Sequence, residues 1–305
     1  MGLARKSAAA LAIAAIAGGA LAWWLATPAP LTADELAAMP AGDAERGERL
    51  FWAAGCASCH AAPQSQGDDM LLLAVGLSLA TEFGTFVAPN ISPHPQDGIG
   101  GWSAADLADA MLRGVSPGGS HYYPAFPYAS YSRMEVADVA DLHAFLQTLP
   151  PVAGRAGDNI LAFPFDQRWA LGLWKRLYLH GGQAVDLAGA DEQVLRGQYL
   201  VEGPGHCGEC HTPRSALGGP DTSRWLAGAP SLETGRDLPN ITPSDDGIGS
   251  WSEAEIAAYL ESGFTPDFDS AGGQMAAVIR NLARLPAEDR QAIAAYLKAI
   301  PPLPD

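Results

Sequence analysis

The sequence predicts an all-α protein with two tandem helical domains and long loops, preceded by one N-terminal transmembrane helix. Three observations lead to this prediction. A five-residue cysteine motif begins at Cys56 and again at Cys207, 151 positions later; the sequence around the motif is also repeated; and an uncharged apolar run lies near the N-terminus. An internal repeat of this length marks a duplicated structural unit. A chain of 305 residues is long enough for two domains of ordinary size.

The two cysteine motifs are Cys56–His60 (CASCH) and Cys207–His211 (CGECH), and together they use all four cysteines of the chain. Cys-x-x-Cys-His is the attachment signature of a c-type haem. Two thiols on one face of a short helical turn add to the porphyrin vinyl groups, and the adjacent histidine ligates the iron. The predicted attachment residues are Cys56, Cys59, Cys207 and Cys210, and the predicted proximal ligands are His60 and His211.

Three other uses of paired cysteines explain the motifs less well. A structural zinc site is a closed set of four ligands, whereas each pair here has its own adjacent histidine. A disulfide within each motif would leave both histidines without a role. A thioredoxin-like motif requires a βαβ pattern, which the flanking sequence does not show. We therefore predict two covalently bound haem c groups, one in each of two cytochrome c-like domains.

The repeat extends well beyond the motifs. The repeated segments are Asp43–Ala54 with Asp191–Val201, Pro89–Pro93 with Pro239–Pro243, and Asp97–Ser103 with Asp246–Ser252. Ser103 and Ser252 each begin a capping box, which predicts a helix start. A last helix in each copy stops before a double proline. Each copy is therefore predicted to contain three helices and no strand. Asn90 and Asn240, within the repeated Pro-Asn-Ile stretches, either tie a loop to its haem or make a turn.

These patterns divide the chain into four segments. Residues 1–30 are a membrane anchor or signal, residues 31–152 form the first haem domain (repeat 1), and residues 191–305 form the second (repeat 2). Residues 153–190 are too aromatic for a free linker. We interpret this bridging segment as packed on one or both domains, with a membrane-surface or partner contact as the alternative.

The N-terminal segment carries a targeting signal. Arg5 and Lys6 precede 20 uncharged residues, Ser7–Ala26, which is about the number a helix needs to cross a bilayer. Trp23 and Trp24 lie where an interfacial aromatic belt is expected. We predict an uncleaved anchor in a bacterial inner membrane, with the haem domains in the periplasm, where haem is attached covalently. A cleaved signal peptide is the alternative.

The formal net charge of −16 excludes one class of partner. Nucleic-acid binding requires a basic surface, whereas this chain has 34 acidic and 18 basic residues. No nucleic-acid partner is predicted. An acidic surface suits a basic soluble partner or general solubility.

Taken together, the repeats resemble the membrane-associated cytochrome c subunits of bacterial periplasmic dehydrogenases that act on alcohols, aldehydes or gluconate. The resemblance rests on Cys207–Pro213, the two Pro-Asn-Ile-Ser/Thr-Pro stretches, the two Gly-Ile-Gly-x-Trp-Ser stretches, Tyr123–Tyr128 and Gly272–Met275. It implies electron transfer from a dehydrogenase catalytic subunit to quinone, a soluble cytochrome or a terminal oxidase. Those subunits typically carry three haems, whereas this chain has two attachment motifs.

Methionine usually supplies the second axial ligand of a c-type haem. Met275, in a predicted Gly-rich loop, is expected to ligate the second iron, and Met134, shortly before the last helix of repeat 1, the first. Relatives often have methionine at the position of Phe126, so the first site differs from theirs. His121 is the alternative ligand there and would make the first haem bis-histidine.

The leading hypothesis is a dihaem electron carrier without catalytic residues of its own. A dihaem peroxidase is the alternative from a different class. A thiosulfate dehydrogenase with a cysteine ligand would need a fifth cysteine, which the chain lacks. A third hypothesis is a haem-bearing structural subunit that anchors a partner.

Overall fold

The computed structural model describes residues 2–74, 76–231 and 237–305, with side chains from residue 6 onward, and these residues are mainly helical. The helices are α1 (Gly2–Leu25), α2 (Ala33–Ala37), α3 (Ala44–Ala53), α4 (Cys56–His60), α5 (Ala104–Arg113), α6 (Tyr128–Tyr131), α7 (Val136–Leu146), α8 (Leu171–Tyr178), α9 (Glu192–Glu202), α10 (Gly208–His211), α11 (Glu253–Ser262), α12 (Gly273–Leu282) and α13 (Ala287–Ala299). Short 3₁₀ turns lie at Gly67–Leu71, Arg168–Ala170 and Thr222–Arg224.

The helix starts follow the capping residues of the sequence. Asp43 caps α3 by accepting hydrogen bonds from the amides of Glu45 and Arg46. The predicted capping boxes at Ser103 and Ser252 are both confirmed, at the starts of α5 and α11. Each cap satisfies backbone donors that a helix cannot pair internally.

In each repeat, the last helix crosses the helix that precedes the motif at very close range. A Cβ atom on Gly47 of α3 would lie 2.0 Å from the Asp141 carbonyl oxygen of α7. A Cβ atom on Gly197 of α9 would lie 1.9 Å from the Ala292 oxygen of α13. Only glycine permits these approaches, which explains why the Arg-Gly pair belongs to the repeat.

The structure corrects the all-α prediction in two details. Among the described residues there are also two antiparallel ribbons: β1 (Ser78–Thr81) with β2 (Gly84–Val87), and β3 (Ala229–Pro230) with β4 (Asp237–Leu238). Their pairing comes from loop closure, since segments of two to four residues are too short to show a strand period. The prediction of three helices per repeat also omits α12, whose first residue is Gly273.

The residues just after α1 and the bridging segment, which contains α8, join the anchor to the folded body. α1 contains one stretch, Lys6–Leu25, that is long and apolar enough to cross a membrane, and that stretch is not buried by the rest of the protein. Directly after it, Ala26 and Leu31 are buried. The bridging segment contacts both repeats: Lys175 donates to the Gly114 carbonyl, and Trp174 Nε1 donates to the Leu217 carbonyl. The predicted segment limits stay predictions.

Candidate haem sites

Both cysteine motifs form a short helical turn. The first motif is α4, and the second is α10 with Cys207 as its N-cap. The second cysteine of each motif is exposed, and none of the four cysteines forms a disulfide. Burial raises the pKa of the Cys56 and Cys207 thiols to about 12. Before haem is attached, these groups are therefore protonated thiols at neutral pH, on turns of the shape that attachment needs.

The two motif histidines are held in the same way. His60 Nδ1 lies 2.7 Å from the Pro89 carbonyl oxygen, and His211 Nδ1 lies 2.8 Å from the Pro239 carbonyl oxygen. A carbonyl can only accept, so each Nδ1 carries the hydrogen and each Nε2 keeps its lone pair. Burial also lowers the pKa of both imidazoles. A neutral histidine with its tautomer set by a backbone carbonyl is the form that ligates iron, and the residues therefore fit a haem.

The repeated asparagines support these carbonyls by making turns. Asn90 Oδ1 accepts from the Ser92 amide at 2.8 Å, and its Nδ2 donates to the Val152 carbonyl at 2.8 Å. Asn240 makes the same pair of contacts, to Thr242 and Leu303. Each asparagine thus closes the loop onto the chain after the last helix. Of the two roles that the sequence left open, the structure shows the turn.

The two attachment turns contact each other's domain through equivalent residues. Asn281 of repeat 2 donates to the Ser58 hydroxyl, inside the first motif, at 2.8 Å. Ser130 of repeat 1 donates to Glu209, inside the second motif, at 2.7 Å. Ser58 and Glu209 are 151 positions apart, as are Ser130 and Asn281. The interface is therefore approximately symmetric, with one motif on each side.

The chain just before each motif also lies in this interface. His206 Nε2 lies 3.2 Å from the Ala54 carbonyl oxygen, and the His206 ring packs edge-on against Tyr131. Glu209 forms an ion pair with Arg214. Burial opposes its ionisation, but Arg214 and the Ser130 hydroxyl outweigh burial and hold the pKa of the Glu209 carboxyl below its ordinary value. The interface thus contains a carboxylate next to the second motif.

The predicted methionine ligands lie in different settings. Met134 is buried in the turn before α7, and its Cγ lies 3.6 Å from the Cβ position of Gly203 in repeat 2. Met134 lies two residues before α7, and the buried Leu285 lies two residues before α13, so the two positions are equivalent. Met275 is the third residue of α12 and packs, half-buried, against the core, so it lies on a helix rather than in a loop. Ligation by either methionine stays a prediction.

His121, the alternative ligand, lies at the end of α1. Its Nε2 is 2.8 Å from the Ala26 carbonyl oxygen, and its Nδ1 is buried without a hydrogen-bond partner. The structure therefore shows His121 joining the anchor to repeat 1.

Two sets of residues escaped the sequence reasoning. The first is the proline pair whose carbonyls orient the histidines, Pro89 and Pro239; their spacing of 29 and 28 residues from the motif histidines was the available signal. The second is the interface pair Ser130 and Asn281, which no local pattern marks. In the part of the chain that the structure describes, no group of three or more metal-binding side chains is gathered as a zinc site would require.

Residues 44–150 and 194–301 each match the sequence profile of the cytochrome c family. The chain belongs to the cytochrome c family, and it carries two haem c groups.

Individual relatives are also similar. The chain is 57% identical over 302 residues to a "Diheme cytochrome c-type" protein of Cereibacter sphaeroides, covering 97% of this chain and 98% of that one. It is 33% identical to the cytochrome c subunit of a quinone alcohol dehydrogenase of Gluconobacter oxydans and 38% identical to the fructose dehydrogenase cytochrome subunit of Gluconobacter japonicus. These matches cover 93% and 84% of this chain, and 61% and 52% of the relatives. The chain thus spans less than two thirds of those two subunits.

Proposed function

We propose that the protein is a membrane-anchored dihaem electron carrier. It takes electrons from the catalytic subunit of a periplasmic dehydrogenase and passes them to quinone, a soluble cytochrome or a terminal oxidase. The observation that carries the proposal is the interface in which Ser58 and Glu209, one from each attachment motif, are bonded to the opposite repeat. Two haem sites that share one interface suit electron exchange within the chain. The dehydrogenase partner is supported by the names of the relatives.

The chain's own residues prepare each site. The haem supplies the redox-active iron, and His60 and His211 each present a lone pair at Nε2. The Pro89 and Pro239 carbonyls keep those rings in one tautomer and orientation, which raises the basicity of the ligand. We place Met134 and Met275 as the sixth ligands. A soft thioether donor favours ferrous iron and raises the potential.

Retention of the anchor is supported by the contacts that follow α1. The Ala26 carbonyl meets His121, and the Leu31 amide donates to Asp109 Oδ1 at 2.6 Å. Ala26 and Leu31 are both buried. A segment that is to be cleaved off has no need of such contacts, and Arg5 and Lys6 favour a cytoplasmic N-terminus. The haem domains then face the periplasm.

The test is electron transfer by the purified full chain. The haems are reduced chemically and mixed separately with a short-chain quinone, with a soluble cytochrome c and with peroxide. We expect rapid reoxidation by one of the first two acceptors and no sustained peroxide turnover. Rapid steady-state peroxide reduction would replace the carrier with a peroxidase, a function that the names of the relatives do not favour.

The structural-subunit hypothesis has a separate test. Replacement of residues 1–30 by a cleavable signal peptide, which keeps export and haem attachment, is expected to impair electron flow from the co-purified dehydrogenase to the membrane. If the dehydrogenase detached while electron flow continued, anchoring would be the main role.

A further inference from the structure

Helix α8 of the bridging segment buries its lysine and exposes one of its leucines, Leu177. Its one lysine, Lys175, faces inward and is 8% exposed. Trp169 just before α8 and Leu177 within it lie on the opposite side at helical spacing and are 52% and 55% exposed. A helix facing water shows the reverse pattern, with apolar residues inside. Its outer side is therefore built for an apolar neighbour.

The inward orientation of Lys175 is firmly held. Its Nζ donates to the Arg113 and Gly114 carbonyls, both at 2.7 Å, at the C-terminal end of α5. The same nitrogen lies 4.8 Å from the centroid of the Tyr128 ring. The last carbonyls of a helix have no partner within the helix, so a hydrogen-bond donor is favoured there. These contacts set the rotation of α8 and leave Trp169 and Leu177 on the outer side.

α8 packs directly against the end of the membrane helix. A Cβ atom on Gly172 would lie 2.4 Å from the Ala26 carbonyl oxygen, so a glycine is needed for this approach. Arg176 Nε donates to the Leu25 carbonyl at 3.3 Å. The Lys6–Leu25 stretch has 20 residues, which matches the hydrocarbon thickness of a bilayer of about 30 Å. α8 therefore lies at the level where α1 leaves the hydrocarbon.

The residues around α8 continue the same character. Phe163 is 80% exposed, Ile160 is 72% exposed, and Trp23 in the last turn of α1 is 74% exposed. Arg168 and Arg176 are exposed beside them. Tryptophan belts and arginines with apolar stems are typical of the boundary between acyl chains and phosphate groups. An exposed apolar patch of this kind normally marks a contact surface.

We propose that residues 160–178 lie in the surface of the same phospholipid bilayer that α1 crosses, with Trp169 and Leu177 inserted at the acyl boundary. This inference rests on the membrane attachment proposed above and extends it to a second contact. A helix that lies in the interface, added to one that spans it, fixes the tilt of the haem domains. This surface is continuous with the end of α1, so the bilayer that α1 crosses is the apolar neighbour it meets.

The experiment uses the full chain in nanodiscs of phosphatidylethanolamine and phosphatidylglycerol. The bilayer includes a phospholipid with a photoactivatable group near the top of its acyl chain, and crosslinked peptides are mapped by mass spectrometry. We expect residues 160–178 to be labelled together with α1, and several-fold more strongly than the loop that contains Phe264 and Phe268. That loop is the matched control, because its phenylalanines are 57% and 88% exposed.

A double variant, Trp169→Ser with Leu177→Ser, tests the face itself. Both side chains are half-exposed, so the visible spectrum should be unchanged while labelling of residues 160–178 falls to the level of the control loop. If α1 is labelled but residues 160–178 are labelled no more strongly than the control loop, this inference is wrong and the membrane attachment still stands. That outcome includes the case in which a protein, rather than lipid, covers this face. An intact mass showing that α1 is removed would instead overturn the membrane attachment.

Discussion

The two repeats bury different pairs of side chains between equivalent helices. In repeat 1, the rings of Phe51 and Phe145 meet with their centroids 5.3 Å apart. The positions 151 residues later are Glu202 and Tyr296, and the Tyr296 hydroxyl donates to Glu202 Oε1 at 2.7 Å. Trp225 Nε1 donates to the same hydroxyl. An apolar pair has thus been replaced by a buried polar network next to the second motif.

The outer faces of the repeats also differ. The loop Val115–His121 of repeat 1 has both ends buried, and the bridging segment contacts those ends: Lys175 donates to the adjoining Gly114 carbonyl and Arg168 to the His121 carbonyl. The equivalent loop, Phe264–Ser270, is closed by the same kind of bridge but leaves Phe264 and Phe268 exposed. Duplication has kept the cysteine motifs and their histidine–carbonyl contacts and changed the groups around them. Two chemically identical cofactors therefore sit in different surroundings.

The largest expected effect concerns the shared chemistry. Replacing Cys207 and Cys210 with alanine should remove one of two covalent haems, because no other thiol is left in repeat 2. The matched variant replaces Cys56 and Cys59 and should also leave one haem. Denatured protein is measured by intact mass and haem staining. Two covalent haems in either variant would contradict the assignment of those cysteines as attachment residues, and a different loss in the two variants would break the equivalence of the repeats.

Axial ligation gives the next effect. Met275→Ala should remove the second site's share of the weak far-red charge-transfer band of ferric haem and lower the potential of that haem, because the soft donor is lost. Met134→Ala should do the same at the first site. Both are followed by redox titration. If Met134→Ala changes nothing while His121→Ala changes the spectrum and potential, the first haem is bis-histidine.

Breaking the polar network of Glu202 and Tyr296 should destabilise repeat 2. Converting it to the apolar pair of repeat 1 should restore part of that stability. Glu202→Phe removes the acceptor of the Tyr296 hydroxyl, the Gln198 side chain and the Ala184 amide, and should destabilise repeat 2 by about 3 kcal/mol. Adding Tyr296→Phe copies the pair of repeat 1 and should recover part of the loss. Urea unfolding followed by haem absorbance measures both variants.

The control for that pair is Phe145→Tyr in repeat 1. It buries a hydroxyl with no carboxylate beside it to accept a hydrogen bond, so it should destabilise repeat 1. Equal stability of the single and double variants at repeat 2 would show that the network is not coupled.

A smaller, pH-dependent effect is expected from Lys175. Burial lowers its pKa from an ordinary value of 10.5 to about 7. Between about pH 7 and 10.5 the unfolded chain then binds more protons than the folded chain, so stability rises with pH in that window. Lys175→Met should lack this rise. The free energy of unfolding of both proteins in detergent, measured across the window, gives the difference; parallel curves would contradict the shift.

Much of the site followed from the order of residues alone. A Cys-x-x-Cys-His motif makes its turn locally, so Cys56–His60 and Cys207–His211 predicted the two haem sites and indicated the duplication. Side chains that cap a helix lie within three residues of its start, so Ser103 and Ser252 marked α5 and α11. The apolar run likewise predicted α1, because spanning a bilayer depends on length and hydropathy.

Other features required contacts between distant parts of the chain. The Pro89 and Pro239 carbonyls reach the histidines only after a loop has folded back, and Ser130 meets Glu209 only when the two repeats pack. The rotation of α8 has the same origin. The sequence of α8 alone does not show which of its sides faces outward. The α5 carbonyls that bind Lys175 decide this. Local patterns specify what each segment forms, whereas burial and hydrogen bonds between distant segments decide what it faces.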